Sequence, residues 1–130
     1  MASHWPQAVL ASYVAGADLS AKQYTFVKLD TAGAVVAVAA VTDIPIGVLQ
    51  NAPKAGETAE VVVVGGTKVV ASASITLPAL LVVTNTGTVA KAVPGTDTTK
   101  HIVGQADEAA GNSGEVISAI VNTASPARGA

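Results

Sequence analysis

Cysteine is absent from this 130-residue chain, so neither a disulfide framework nor a thiolate metal site can hold it together, and the fold rests on packing alone. Charge is scarce as well. Asp, Glu, Lys and Arg make up 12% of the residues, about half the usual quarter, and the seven Lys and Arg are scattered without a stripe or cluster. Phosphate neutralisation needs such a cluster, so nucleic acid is not expected as a partner. Apolar runs are far shorter than the ~20 residues that cross a bilayer, and no basic region leads into one at the N-terminus. Neither a membrane span nor a signal peptide is expected. Aromatics are down to one Trp, one Phe and two Tyr, too few to furnish the ring platforms of a typical sugar site.

What the chain does have is Ala and Val, 26 and 21 copies, which together call for a core of small side chains. The exterior must then be covered mostly by Thr, Ser, Asn and Gly. Such a charge-poor surface suits a protein that works in contact with others, since free monomers normally carry more charge of both signs. The length fits one domain able to bury a core unaided.

Within that domain the sequence repeats itself faintly. Tyr24 to Gly33, Ile46 to Gln50 and Gly56 to Val63 are followed in the same order by Leu80 to Gly87, Ile102 to Gln105 and Gly111 to Ile117. Aligning Gly33 with Gly87, Gly47 with Gly104 and Glu60 with Glu115 gives offsets of 54, 57 and 55. The identities are mostly turn glycines, the positions that tolerate least change when a backbone plan is kept. Residues 1–18, which hold the single Trp, match neither copy and read as an extended arm. Residues 19–122 form the β body, and 123–130, rich in Ser, Pro, Gly and Ala, read as a flexible tail.

Alternation over 22–41 predicts two strands about an Asp30–Gly33 hairpin turn, with Val35 to Val41 as the return strand. Ile46 to Gln50 and the Val-rich Glu60 to Val64 follow, the latter a strand buried on both faces. Gly65-Gly66 predicts a turn, with Thr67 to Ala71 as hairpin partner. In the second copy the strands are Leu80 to Thr84, Thr88 to Val93, Ile102 to Asp107 and Glu115 to Val121. Helix signals are nearly missing, and many short strands separated by Gly turns indicate an all-β, antiparallel small barrel or sandwich, pseudo-duplicated, into which both halves close.

Chemistry is hard to find in these residues. His4 lies beside Trp5 and Pro6, His101 ends a polar loop where it should be solvated, and neither has a carboxylate or second His at metal-pair spacing. No Gly-x-Ser-x-Gly elbow presents a serine. Gly65-Gly66-Thr67-Lys68 has the wrong spacing for a phosphate loop and no helix after it. Glu57 with Glu60, and Asp107 with Glu108, read as solvated turn charge, the latter two pointing apart along a strand. No catalytic, cofactor or metal site is therefore assigned, and the chain is not expected to be an enzyme. Trp5 is different. A lone Trp outside the repeated body is the kind of anchor that fills a partner's pocket, with packing back onto the barrel as the alternative, so His4, Trp5, Pro6 and Tyr13 are the expected interface residues.

Gly16-Ala-Asp-Leu-Ser-Ala-Lys-Gln-Tyr24, Val27-Lys-Leu-Asp30, Pro45-Ile-Gly-Val-Leu-Gln-Asn51, Gly56-Glu57 and Val61-Val-Val63 together resemble the small capsid decoration (cement) proteins of tailed bacteriophages. The likeness runs over most of residues 16–121. It implies a β-tulip-like homotrimer on the outer surface of a phage head, bound at junctions between major capsid protein subunits and stabilising the shell. From another class, the alternative is a carbohydrate- or host-surface-binding β module, such as a head-fibre base or an adhesin, for which the aromatic signal is thin.

Overall fold

The structure is a computed structural model that describes residues 8–124 and 127–128. It is all-β, with ten strands and, among the described residues, no helix. In chain order these are β1 (Ala8–Val14), β2 (Phe26–Leu29), β3 (Val35–Ala37), β4 (Gly47–Leu49), β5 (Thr58–Val70), β6 (Ala79–Val83), β7 (Val89–Lys91), β8 (His101–Ala106), β9 (Val116–Asn122) and β10 (Ala127–Arg128). All ladders are antiparallel, in the order β3-β2-β4-β5-β9-β8-β6-β7, with β1 added to β5 and β10 to β8. That order is a palindrome of one motif. Read outward from the centre, β5-β4-β2-β3 on one side has the same connectivity as β9-β8-β6-β7 on the other, which is the duplication expressed as topology.

The repeat reaches further back than the glycines indicate. Ala15 bridges Val35 as Ala71 bridges Val89, and both bridges are parallel. The amides of Gly16 and Ser72 donate to Val35 and Val89 at 2.8 Å each, and those of Ala15 and Ala71 donate to Glu57 and Glu115 at 2.8 Å each. Leu19 and Ile75, both buried, donate to Pro53 and Ala110. Residues 8–19 therefore correspond to 64–75. The segment 8–18, expected in an arm, belongs to the body: its β1 runs along β5 with Val14 opposite Thr58, as Val70 lies opposite Val116.

This makes β5 a strand shared by the two copies. Its first half closes the first repeat and its second half opens the next. Val61 and Val62 pair with both β1 and β4, and Val64 and Gly65 with both β1 and β9, so β1 holds one edge while β4 and β9 follow each other along the opposite one. The turn expected at Gly65-Gly66 is not made, and Thr67 to Ala71 is not a hairpin partner but the continuation of the same strand. The two glycines follow an irregularity of the ladder: pairing jumps from Val64 to Val62, opposite Val9 and Leu10, so that Val63 is the extra residue, and Gly65 just beyond it takes a φ of 125°. Glycine inside a strand is the usual mark of such a bulge.

Each repeat curls into a small barrel, β1-β5-β4-β2-β3 and β5-β9-β8-β6-β7, closed on its last side by the single Ala15–Val35 or Ala71–Val89 bridge. The antiparallel barrel architecture read from the sequence is thus present once per copy. Ala15, Leu19, Val27, Val35, Leu49, Ala59 and Val61 fill the first barrel. The larger cluster fills the second and extends over Phe26, Val48 and Val62, which alternate with Val27, Leu49 and Val61 and so point out of the first barrel. The return strand β3 stops at Ala37, short of the expected Val41, and Thr123, expected in the flexible tail, is buried with its hydroxyl donating to the carbonyls of Ile46 and Val63 at 2.7 and 2.9 Å. Ala127–Arg128 pairs with β8, so that tail too returns to the sheet.

Two aspartates tie down equivalent loops. Asp43 accepts from the amides of Ala39 and Ala40 at 2.8 and 2.9 Å and from Lys28 Nζ at 3.0 Å; Asp97 accepts from the Val93 amide at 2.8 Å and pairs with Lys100 at 3.1 Å. The Ala39 amide bond foremost, and the Val93 amide bond for Asp97, hold both carboxyls below the ordinary aspartate value. A depressed native pKa adds stability that is complete above the unfolded value of about 3.9 and is lost as pH falls through the native one. Melting temperature should therefore drop steeply below about pH 4. In an Asp43→Asn, Asp97→Asn double variant the melt should start lower at pH 6 and depend less on acid, and an unchanged acid slope would contradict this assignment.

Candidate interaction surfaces

The described residues offer no group of three or more His, Cys, Asp or Glu able to hold a metal ion. His101, expected to be solvated, is instead buried on β8, its Nδ1 without a hydrogen-bond partner among the described residues. Asp107 and Glu108 do not point apart as an extended strand would place them. The strand ends at Ala106, and both turn toward Ser118: its hydroxyl donates to Asp107 and its amide to Glu108 at 2.9 Å. Glu57 is exposed turn charge as expected, taking the Lys54 amide at 2.6 Å, but Glu60 lies half-buried inside β5 and takes the Ser12 hydroxyl at 3.0 Å. The Gly65–Lys68 segment lies inside β5 and forms no anion-binding loop.

Of the four expected interface residues, His4, Trp5 and Pro6 lie outside the described residues. Tyr13 sits on β1, half-buried against the core of the first barrel. The strand that follows the three is itself poorly covered. Val9, Leu10 and Val14 are exposed, and beyond its ladder with β5 no other strand pairs with β1 among the described residues. An edge strand with apolar side chains in water is a template for another chain.

A second uncovered surface has no counterpart in the sequence reading. On the outside of the second barrel Leu80, Ile102, Gln105, Ile120 and Asn122 surround an open apolar depression of about 270 Å³ floored by Gly104. Gly104 has no room for a side chain, since a Cβ there would lie 2.1 Å from the Ile120 carbonyl oxygen, and this bareness lets β8 and β9 approach and hollows the face. Leu80 is 49% exposed and Ile120 40%. Their equivalents in the first copy are Phe26 and Val62, and both are buried. Alternation along a strand marks Phe26 and Leu80 as equally apolar outward positions, so sequence alone could not tell the covered face from the open one.

No family model matches the chain, and no curated protein does either. Among solved structures its fold is similar to the N base of the head fibre gp8.5 of bacteriophage phi29, with a TM-score of 0.67 and 18% identity over 90% of this chain and 96% of that one. At this identity the likeness establishes a common fold.

Proposed function

We propose that this chain is a non-enzymatic structural protein of a phage virion, docked on the outer surface of the head at junctions between major capsid protein subunits, where it decorates and stabilises the shell as a homotrimer. The observation that carries this reading is the fold likeness to a head-fibre base across nearly the whole of both chains. A charge-poor exterior with two uncovered apolar surfaces supports it, because such surfaces are tolerated where another protein covers them. Binding only the assembled shell lowers its free energy by mass action at every occupied site. Residues 1–7, with Trp5 as anchor, are proposed to contact the capsid, and the free edge of β1 to add a strand to it.

The experiment is co-sedimentation of the purified protein with phage heads that lack it. Saturable binding is expected, and deletion of residues 2–7 should cut occupancy at least tenfold with an unchanged melting temperature. Full occupancy by the truncated chain would remove the terminal segment from the reading, and no binding by the intact chain would remove the reading itself. A second reading, favoured by the same likeness, is that the chain is the base of a head fibre and serves host attachment; binding to heads with no gain in shell stability, together with glycan-array binding, would select it.

A further inference from the structure

The open face on the second barrel has a covered twin inside the same molecule, and the twin shows what covers it. In the first copy Phe26, Val48 and Val62 point out of their barrel and are buried in one cluster with residues of the second copy, whose β6–β7 turn meets the chain at Phe26. The Phe26 amide donates to the Gly87 carbonyl at 2.8 Å, and Gly87 is so close that a Cβ there would stand 2.5 Å from the Phe26 carbonyl oxygen. Transposed by one repeat, Phe26, Val48 and Val62 become Leu80, Gln105 and Ile120, and among the described residues nothing covers them. The covering hairpin has a counterpart as well. The β2–β3 turn, Asp30 to Gly33, matches Thr84 to Gly87, with Gly33 and Gly87 both at φ 83°. It too is unoccupied: Gly33 has no atom within 4 Å of where its Cβ would stand, and Leu29 is 36% exposed where its equivalent Val83 is 3%.

The chain therefore carries one used pair of complementary surfaces between its two copies and one unused pair, a free face at one end and a free hairpin at the other. We infer that the unused pair meets between molecules: the β2–β3 hairpin of one chain seats on the Leu80–Gln105–Ile120 face of a second copy, continuing the contact that already joins the repeats. Such a contact is heterologous, hairpin to face, and a heterologous contact that closes yields a ring instead of a two-fold dimer. Leu29 and Leu80 supply the apolar burial, and Gly33, which has no side chain in the way, permits the same close backbone approach that Gly87 makes. This inference rests on the internal repeat and not on the virion reading, and it needs no phage head to test.

The absence of native cysteine makes the test clean. Ala32→Cys, on the exposed turn, and Leu80→Cys, on the face, are prepared as full-length single variants and treated with a short bis-maleimide, alone and mixed. Cross-linked pairs are expected in the mixture and not from either variant alone. A pair from Leu80→Cys by itself would mean face against face, a pair from Ala32→Cys by itself turn against turn, and either result overturns the inference, as does an uncross-linked mixture. In parallel, light scattering should show the wild type as an oligomer and Leu80→Glu as a folded monomer with unchanged circular dichroism. A wild type that stays monomeric at millimolar concentration, or a Leu80→Glu variant that still assembles, also overturns it. Because these measurements use the chain alone, their failure leaves head binding untouched, and failure of head binding leaves them untouched.

Discussion

Gly104→Ala and Gly47→Ala should each lower the melting temperature by about 10 °C or more, corresponding to about 3 kcal/mol or more of an expected total near 5–15 kcal/mol. The two glycines are equivalent in the repeat and face the same obstacle. A Cβ at Gly104 would lie 2.1 Å from the Ile120 oxygen and 2.9 Å from the Val121 Cα; at Gly47 it would lie 2.4 Å from both the Val62 oxygen and Val61 Cγ1. Backbone atoms in a ladder cannot rotate aside as a side chain can, so β8 must part from β9, or β4 from β5, for the methyl to enter. Glycines with room behave differently. Gly95 and Gly114 have positive φ and nothing within 4 Å, so alanine there meets only conformational strain, about 1 kcal/mol. Thermal melts of the four variants separate the two causes, and a Gly104→Ala melt equal to that of Gly95→Ala would refute the close-approach argument.

Phe26→Ala should cost about 3–5 kcal/mol, the usual loss for a fully buried aromatic, whereas Leu80→Ala at the equivalent position should cost under about 1 kcal/mol in dilute solution. Phe26 is the largest fully buried side chain among the described residues and sits where the two barrels meet, so its removal leaves a cavity bounded by both. Leu80 has half its surface in water already. Urea titration at low protein concentration measures both. A Leu80→Ala cost as large as that of Phe26→Ala would show that something covers the second face within a single chain.

Much of the plan was legible. The hairpin at Asp30–Gly33 and its twin at Thr84–Gly87 follow from turn chemistry, and Gly47 with Gly104 marks the repeat, because positive φ and close approach leave glycine little freedom to change. β1 was not legible for the complementary reason. Against 64–72, residues 8–16 keep only Val14 and Ala15 and share no glycine, so nothing in the segment's sequence marks it as part of the repeat. Gly65-Gly66 misled in the opposite direction, since a Gly pair signals a turn unless both flanking halves find partners, as they do here in β1 and β9. For the surfaces, the sequence singled out the unmatched terminus, where Trp5 stood alone. The Leu80–Ile120 face has no such mark, because an exposed Leu in an alternating strand has the same signature as a buried one. Only the contrast with Phe26 distinguishes them.

Where two repeats share a strand, there is no linker between them. Tandem modules joined by a loop can bend at the junction, but β5 passes from one barrel to the next as thirteen unbroken residues, with partners on both edges at Val61, Val62, Val64 and Gly65, where the copies meet. A hinge would require that strand to leave its ladders. The molecule is accordingly one stiff body, and a surface at one end has a fixed direction relative to a surface at the other. A protein built in this way transmits orientation: once its first half is seated, the bearing of its second half is determined.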